Sequence, residues 1–323
     1  FVVAWQSANQ DGSSGGIYGQ RYDMSGDVAG SEFQINTHTA GPQAIPSATS
    51  LTDGGFVVTW QSANQDGDAL GVFGQRYDAS GVAAGSEFQI NTHTTDHQAR
   101  PSVASLPDGG FVVAWQSANQ DGDGAGVFGQ RYDSLGVATG AEFQVNTSTA
   151  SYQEMTSVAS LTGGGFVVTW QSWSSQDGDG IGIFGQRYDT SGAATGGEFQ
   201  VNTYTTSDQD TPFVAALKDG GFLVTWRSNS QDGDGAGVFG QRYDAQGAAV
   251  GSEFQINTET QGSQYEPSVT SLSVSATEDV AQLIEGISIS DVDVEDADDV
   301  LSVTLSVTDG ELDIGHHHGS TVT

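Results

Sequence analysis

Short apolar segments alternate with polar positions along this chain and recur at a fixed interval. In one copy, Phe111, Val113 and Trp115 occupy every second position, so their side chains share one face of an extended strand. The tryptophans that mark the copies are separated by 55, 55, 55 and 56 residues, at Trp5, Trp60, Trp115, Trp170 and Trp226. Self-similarity at a period of this size is typical of solenoids and propellers, in which each repeat packs against its neighbours.

Each copy contains four short segments that are rich in β-branched and aromatic residues and bounded by Gly, Asp, Asn or Pro. In the third copy these segments are residues 101–106, 111–117, 126–133 and 142–147. Helical periodicity is absent, so the sequence predicts an all-β chain. Four antiparallel strands in a meander, repeated five times, predict a five-bladed β-propeller of about 55-residue blades over residues 1–272.

The two ends of the repeat region are complementary in strand content. The first copy begins at Phe1 with its second strand, and the last copy ends with a first-strand segment at residues 267–272. Pairing of these segments would close a ring of five blades. The alternative is an open piece of a larger ring or array, because a start without Met inside a strand pattern is expected for a fragment of a longer polypeptide.

Residues 273–323 differ in composition from the repeats. They contain 12 acidic side chains and no Lys or Arg. Their alternating apolar positions predict a half-buried strand at Leu301, Val303, Leu305 and Val307. This region is predicted to be a second domain, the opening strands of a β-sandwich.

Both regions resemble parts of large bacterial surface and secreted proteins. Residues 273–323 resemble cadherin-like repeats in their Glu278-Asp279 start and in the stretches Ile-Ser-Asp-Val-Asp at 289–293 and Ser-Val-Thr-Asp-Gly at 306–310. The 55-residue units are similar to repeats of calcium-dependent, RTX-like secreted proteins and adhesins. The resemblance implies a truncated cadherin-like or immunoglobulin-like domain, calcium as cofactor, and an extracellular or cell-surface location.

The net charge of the chain limits the classes of partner that it could bind. The chain carries 41 acidic residues against 8 Lys and Arg, a formal net charge of -33 at pH 7. Nucleic acids and anionic membrane surfaces would repel it, which argues against both as partners. Long apolar runs and cysteines are absent, which predicts no membrane insertion and no disulfide bonds. We expect a chain that is monomeric within a longer polypeptide.

Paired aspartates among glycines follow the second strand of four copies, and the acidic tail contains a further cluster. Alternate carboxylates and loop carbonyls can supply the roughly six to eight oxygen ligands that calcium takes. The alternative is an Asp-Gly turn in which the carboxylate caps backbone amides. The predicted calcium ligands are Asp66, Asp68, Asp121, Asp123, Asp177, Asp179, Asp232, Asp234, Asp291, Asp293, Asp296 and Asp298.

Five of the eight basic residues recur once per copy, in the motif Gly-Gln-Arg-Tyr-Asp, and a glutamate recurs at the start of each predicted fourth strand. We expect these arginines to be structural, because a ligand clamp would not need five equivalent copies. A bridge between adjacent strands, such as Arg131 with Glu142, would hold a glycine-rich blade in register.

The side chains that break the repeat are mostly aromatic or basic: His97, Arg100, Tyr152, Trp173, Tyr204, Arg227 and Tyr265. They form no evident acid and base pair, so the sequence favours a non-enzymatic extracellular module, stabilised by calcium and acting in adhesion.

One alternative is a lectin-like carbohydrate-binding propeller. Another is a glycoside hydrolase, which needs two carboxylates about 5–10 Å apart. The expected partners are cell-surface glycans or other extracellular polymers.

Overall fold

The computed structural model describes residues 1–173, 175–265 and 267–269. In these residues 19 strands form five antiparallel sheets, and no helix is present that could span a membrane. The prediction of an all-β chain is confirmed. The predicted cadherin-like domain at 273–323 lies outside the described residues, and so do its calcium candidates Asp291, Asp293, Asp296 and Asp298.

Each sheet is built from one copy of the repeat, and we call it a blade. Blade 1 consists of β1 (Val2–Ser7), β2 (Gly16–Arg21) and β3 (Phe33–Gln34). Blade 2 consists of β4 (Gln43–Ser50), β5 (Phe56–Ala63), β6 (Leu70–Tyr77) and β7 (Phe88–Gln89). Blade 3 consists of β8 (Gln98–Ser105), β9 (Phe111–Ala118), β10 (Ala125–Tyr132) and β11 (Ala138–Gln144). Blade 4 consists of β12 (Gln153–Ser160), β13 (Phe166–Ser172), β14 (Gly182–Tyr188) and β15 (Ala194–Gln200), and blade 5 of β16 (Gln209–Ala216), β17 (Phe222–Asn229), β18 (Ala236–Tyr243) and β19 (Ala249–Gln255).

The strands of every blade pair in sequence order, as the meander predicts. The first strands β4, β8, β12 and β16 contact one another in succession, so they are the inner strands and the fourth strands lie at the rim. Five blades arranged in this way are a β-propeller. In blade 3 the predicted second and third strands closely match the observed ones. The observed first strand begins three residues earlier than predicted, at Gln98, and the observed fourth strand is shifted to Ala138–Gln144.

The tight turn between the first and second strands depends on glycine. In blade 3, Gly109 has a φ of 88°, and a Cβ on Gly110 would lie 2.1 Å from the carbonyl oxygen of Tyr132. Asp108 Oδ1 accepts the Gly110 N–H at 3.0 Å and completes the turn. The Asp-Gly-Gly motif is therefore repeated because this hairpin needs a positive φ at the first glycine and has no room for a side chain at the second.

The apolar core lies between blades. Phe111, Val113 and Trp115, which the alternating pattern places on one face, are each 0% exposed and pack against Val57 and Ile90 of blade 2. Equivalent clusters join blades 1 and 2, blades 3 and 4, and blades 4 and 5. Burial of one such side chain stabilises the fold by about 1.5–3 kcal/mol. Each blade therefore completes the core of the blade before it.

The repeated arginines connect each blade to the following one. Arg131 of blade 3 donates to the carbonyl oxygens of Ser191 and Thr190 in a turn of blade 4, and pairs with Asp108 of its own blade at 3.3 Å. We call the contact with the next blade the arginine clasp. It is also made by Arg21, Arg76 and Arg187. The predicted bridge between Arg131 and Glu142 is wrong, because the guanidinium extends to the neighbouring blade.

The repeated glutamates connect each blade to the preceding one. Glu142 Oε2 accepts hydrogen bonds from the backbone N–H of Thr92 at 2.7 Å and from its hydroxyl at 2.9 Å, and Thr92 belongs to blade 2. Glu142 Oε1 accepts from Gln120 Nε2 at 2.5 Å within blade 3. Arg131 and Glu142 thus hold opposite neighbours and share no partner.

The predicted pairing of residues 267–272 with the first strand is not seen in the described part of the chain. Residues 267–269 form no strand, and the remainder of that segment is outside the described residues. Among the described residues blade 1 has three strands, and no strand of that part of the chain pairs with the outer edge of β1. Closure of the ring stays a prediction.

The two clasps give a prediction about energetic coupling. We expect Arg131→Ala and Glu142→Ala to destabilise the protein additively, within about 0.5 kcal/mol, because they share no partner. Each change should cost about 1–2 kcal/mol through lost charge-assisted hydrogen bonds at a partly exposed junction. The measurement is the free energy of unfolding in denaturant for both single variants and the double variant. An interaction energy above about 1 kcal/mol would instead indicate a direct bridge.

Candidate functional site

A buried amide network holds the loops at one end of blades 1 to 4. In blade 3, Asn146 Oδ1 accepts the Val127 N–H at 2.7 Å, and Asn146 Nδ2 donates to Asp121 Oδ2 at 3.1 Å and to Gln153 Oε1 at 3.2 Å. Gln153 is completely buried at the start of blade 4. The aspartate-rich loop of one blade is therefore tied to the inner strand of the next.

The two aspartates of each loop have different contacts. Asp121 is turned inward to Asn146, whereas Asp123 Oδ2 accepts the Ser151 N–H at 3.1 Å and caps the link to blade 4. Asp68, Asp179 and Asp234 cap the corresponding links. No group of three or more acidic or histidine side chains is placed to hold a metal within the described ranges. That Asp66, Asp68, Asp121, Asp123, Asp177, Asp179, Asp232 and Asp234 bind calcium stays a prediction.

Three of the inward aspartates keep one buried oxygen that accepts no hydrogen bond from the described residues: Asp66 Oδ1, Asp121 Oδ1 and Asp232 Oδ2. The side-chain oxygen of the preceding glutamine is buried and unpaired as well, in Gln65, Gln120 and Gln231. In contrast, both carboxylate oxygens accept hydrogen bonds in Asp11 and Asp177. A buried acceptor without a donor is costly, so a cation or a water molecule would stabilise these three loops.

A cleft of about 320 Å³ opens where the loops and links of blades 2, 3 and 4 meet. His97 and Tyr152 come from the links between blades, at equivalent positions of successive copies. Arg100 and Glu154 come from the inner strands β8 and β12. The lining also includes the side-chain amides Gln61 and Gln116 and the apolar residues Ile45 and Leu70.

A bulge in the inner strand places Arg100 at the cleft. The register of β8 shifts between Ala99 and Ser102, and Arg100 has a φ of 54° while its N–H donates to Gln61 Oε1 at 3.1 Å. A positive φ at the same position recurs in Ile45, Met155 and Thr211, so the bulge belongs to the architecture. The Arg100 guanidinium is exposed and has no hydrogen-bond or ion-pair partner among the described residues.

Glu154 is hydrogen-bonded to an aromatic side chain. Its Oε1 accepts the indole Nε1–H of Trp173 at 2.7 Å and Gln171 Nε2 at 3.3 Å. The backbone N–H of Trp173 also donates to the Tyr152 carbonyl oxygen at 2.9 Å. Tyr152 and Trp173 nevertheless stay 53% and 50% exposed. The indole of Trp173 is therefore fixed beside the Glu154 carboxylate, and Tyr152, two residues before Glu154, lines the same cleft.

In blade 5 the residues at the positions of Glu154 and Gln171 are different and form an ion pair. Asp210, which corresponds to Glu154, forms a salt bridge with Arg227, which replaces the glutamine of the other second strands. The Arg227 guanidinium carbon lies 5.4 Å from the ring centroid of Tyr265, a cation–π distance. Charge is thus neutralised locally in blade 5, whereas the Arg100 guanidinium has no such partner among the described residues.

The fold brings some of the residues that break the repeat together, and leaves others apart. His97, Arg100 and Tyr152 line one cleft and Trp173 adjoins it, whereas Arg227 and Tyr265 form the separate cluster of blade 5 and Tyr204 does not line the cleft. Glu154 is a cleft residue that was not singled out from the sequence. Its equivalents in the other blades are Ala44, Ala99, Asp210 and Tyr265, so an alignment of the copies by their buried glutamine would have found it.

Comparison with protein-family models and with curated proteins finds no match. A protein from Dyadobacter fermentans, described as of unknown function, is similar in structure, with a TM-score of 0.57, 12% identity and 83% of each chain covered. An endo-arabinanase of glycoside hydrolase family 43 from Bacillus licheniformis has a TM-score of 0.40 and 13% identity, over 67% of this chain and 81% of that one. An alpha-L-arabinofuranosidase from Lactobacillus brevis has a TM-score of 0.41 and 13% identity, over 67% of this chain and 75% of that one. At these identities the likeness concerns the fold alone.

The prediction that the chain is not an enzyme is corrected by these comparisons. It was based on the absence of an evident acid and base pair in the sequence. The similar solved structures include glycoside hydrolases, which are enzymes. A repeat pattern that looks purely structural is therefore no ground for excluding catalysis.

The bulge at Arg100 gives a prediction about backbone strain. We expect Arg100→Gly to be more stable than Arg100→Ala by about 1 kcal/mol, because only glycine adopts a φ of 54° without steric cost. The measurement is the free energy of unfolding of the two variants. Thr195, an exposed strand residue without a positive φ, is the control, and there Ala should be the more stable. Equal stability of the two Arg100 variants would contradict the proposed strain.

Proposed function

We propose that the cleft between blades 2, 3 and 4 binds carbohydrate. The observation that supports this is a pair of exposed aromatic residues: Tyr152 lines the cleft together with Arg100, and Trp173 is hydrogen-bonded to the cleft residue Glu154. Large aromatic side chains at the surface of a soluble protein tend to mark binding sites. The indole of Trp173 is fixed by its hydrogen bond to Glu154, so its side chain would lose little conformational entropy on binding.

Sugar rings have chemistry that suits this cleft. Their C–H faces are apolar and stack on aromatic rings, while their hydroxyl groups both donate and accept hydrogen bonds. The guanidinium of Arg100 offers donors, the carboxylate of Glu154 accepts, and the side-chain amides Gln61 and Gln116 do both. A few directional polar groups beside apolar walls are the usual composition of a small-molecule site.

The charge of the chain supports an extracellular polymer as the source of the sugar. A net charge of -33 opposes binding to nucleic acid. We therefore propose cell-surface glycans or other extracellular polysaccharides as partners, and an extracellular location for the protein.

A glycan array probed with the chain, followed by calorimetry on the best oligosaccharide, tests the proposal. We expect Tyr152→Ala and Trp173→Ala each to weaken binding at least about tenfold, which corresponds to about 1.4 kcal/mol. Tyr204→Ala is the matched control, because Tyr204 is a half-buried tyrosine of blade 4 that does not line the cleft. Binding that all three variants retain, or no binding to any glycan, would contradict the proposal.

We also propose that calcium stabilises the loops whose buried oxygens lack donors. Asp66, Asp121 and Asp232 each have such an oxygen, next to the unpaired oxygen of the preceding glutamine. A cation bound only by the folded state stabilises it in proportion to the logarithm of its concentration. Extracellular calcium modules bind at about 10⁻⁴–10⁻³ M, so the effect belongs in the millimolar range.

Thermal melting with calcium and with chelator checks the calcium proposal. We expect calcium to raise the melting temperature, and Asp121→Asn to reduce that rise by removing an anionic ligand. Asp177→Asn, the control, should leave the rise unchanged, because both oxygens of Asp177 already accept hydrogen bonds. An equal loss in both variants, or the same melting temperature with calcium and chelator, would contradict it.

A further inference from the structure

In blades 2 to 5 a polar side chain of the second strand lies opposite a fixed position of the inner strand. Residues directly opposite each other on antiparallel strands are close enough for their side chains to interact. We call the inner-strand member of each pair the acid position, because it holds a carboxylate in blades 4 and 5. The four pairs are Ala44 with Gln61, Ala99 with Gln116, Glu154 with Gln171, and Asp210 with Arg227.

In blades 4 and 5 the acid position supplies the acceptor for its partner across the strands. Gln171 Nε2 donates to Glu154 Oε1 at 3.3 Å, and Arg227 forms a salt bridge with Asp210. The backbone N–H of Thr211 donates to the other end of the Gln171 amide, its Oε1, at 3.0 Å. The oxygen of this amide is thus held by the backbone of the next blade, while its nitrogen binds a carboxylate.

In blades 2 and 3 the acid position is alanine, and the same amide donors meet no carboxylate. Their oxygens are held as in blade 4: Gln61 Oε1 accepts the Arg100 N–H at 3.1 Å, and Gln116 Oε1 accepts the Met155 N–H at 3.4 Å. Neither Nε2 atom has an acceptor within the described part of the chain. Both glutamines and Ala99 line the cleft. The cleft therefore presents amide donors where the neighbouring blades hold a carboxylate.

Arg100 adds a cation to these donors. The six other arginines each donate to a carbonyl or carboxylate oxygen, whereas the exposed Arg100 guanidinium has no partner among the described residues. The equivalent positions hold Ile45, Met155 and Thr211, so the fold does not require a cation there. Arginine at a φ of 54° is also unfavourable for the backbone, and such strain tends to occur at functional sites.

We propose that the sugar bound in the cleft carries a carboxylate, which accepts hydrogen bonds from the Arg100 guanidinium and the Gln116 side-chain amide. This inference rests on the proposed carbohydrate function. An ionised carboxylate only accepts hydrogen bonds, so it suits a group of donors that lack an acceptor. The planar guanidinium matches a carboxylate in shape as well as in charge. Next to Ala99, the carboxylate of the ligand takes the place that Glu154 and Asp210 occupy in their own blades.

The charges around the cleft limit the ligand to one acidic sugar. Glu154 lines the same cleft, where its Oε1 accepts from Trp173 and Gln171, and its charge would repel a second carboxylate. The net charge of -33 repels a polyanion at longer range. One unpaired guanidinium can neutralise one carboxylate. We therefore expect a glycan that is neutral apart from a single acidic residue, rather than a polymer of acidic sugars.

Calorimetry with a matched pair of ligands tests the proposal. One ligand is an oligosaccharide that ends in a single glucuronic acid, and the other is its methyl ester, which has the same ring without the charge. We expect the full chain to bind the acid at least about tenfold more tightly, because charge-assisted hydrogen bonds are stronger than neutral ones. The same oligosaccharide with a sulfate ester in place of the carboxylate, and a polymer of glucuronic acid, should both bind more weakly than the acid.

Two variants locate the carboxylate. Arg100→Gln should remove the preference for the acid, and it should fold because neutral side chains occupy this position in the other blades. Arg242→Gln is the matched control, since it removes the same charge from a side chain that is 42% exposed and does not line the cleft. It should keep the preference. Ala99→Glu places a carboxylate of the chain at the acid position and should weaken binding of the acid much more than binding of the ester.

The outcomes separate this inference from the proposal on which it rests. Equal affinity of the wild type for the acid and the ester would overturn the inference and leave carbohydrate binding intact. Binding to no glycan at all would contradict the carbohydrate proposal itself, and the inference with it. A preference that survives Arg100→Gln, or a sulfate ester bound as tightly as the acid, would overturn the assignment of a carboxylate to Arg100. Equal weakening of acid and ester by Ala99→Glu would contradict the place given to the carboxylate.

Discussion

Packing of one blade against the next is the interaction on which the rest of this structure depends. A single blade is a glycine-rich sheet with apolar side chains on both faces, and it cannot bury either face by itself. Trp115 is 0% exposed because blade 2 lies against it. The repeat of the sequence is thus the repeat of an interface, and the Arg131 and Glu142 clasps flank that interface with hydrogen bonds in both directions.

The candidate site uses positions that the repeat leaves free. The inner strands of blades 2 to 5 carry the same bulge, and the buried glutamines and asparagines that hold the loops are the same in successive copies. On this constant backbone, the residues before and after the buried glutamine change from blade to blade. Tyr152 and Glu154 in blade 4, next to His97 and Arg100 in blade 3, therefore create one ligand-sized cleft without disturbing the junctions.

Period and alternation were enough to predict the sheets, their strand order and the shared face of Phe111, Val113 and Trp115, because these follow from local geometry. The partner of Arg131 could not be predicted, since Ser191 is 60 residues away in sequence and the clasp depends on how two blades pack. Glu154 was missed for a related reason. Its importance comes from Trp173 and from a neighbouring blade, and neither relation is visible in a single copy.

Amide hydrogen exchange on the full chain tests most directly whether each blade depends on its neighbours. If it does, exchange should be slowest in β9, whose blade is covered on both faces, and markedly faster in the equivalent strand β1, where Val3 is 44% exposed. Equal protection of β1 and β9 would contradict this dependence, because the more exposed strand would then be as stable as one packed between two neighbours.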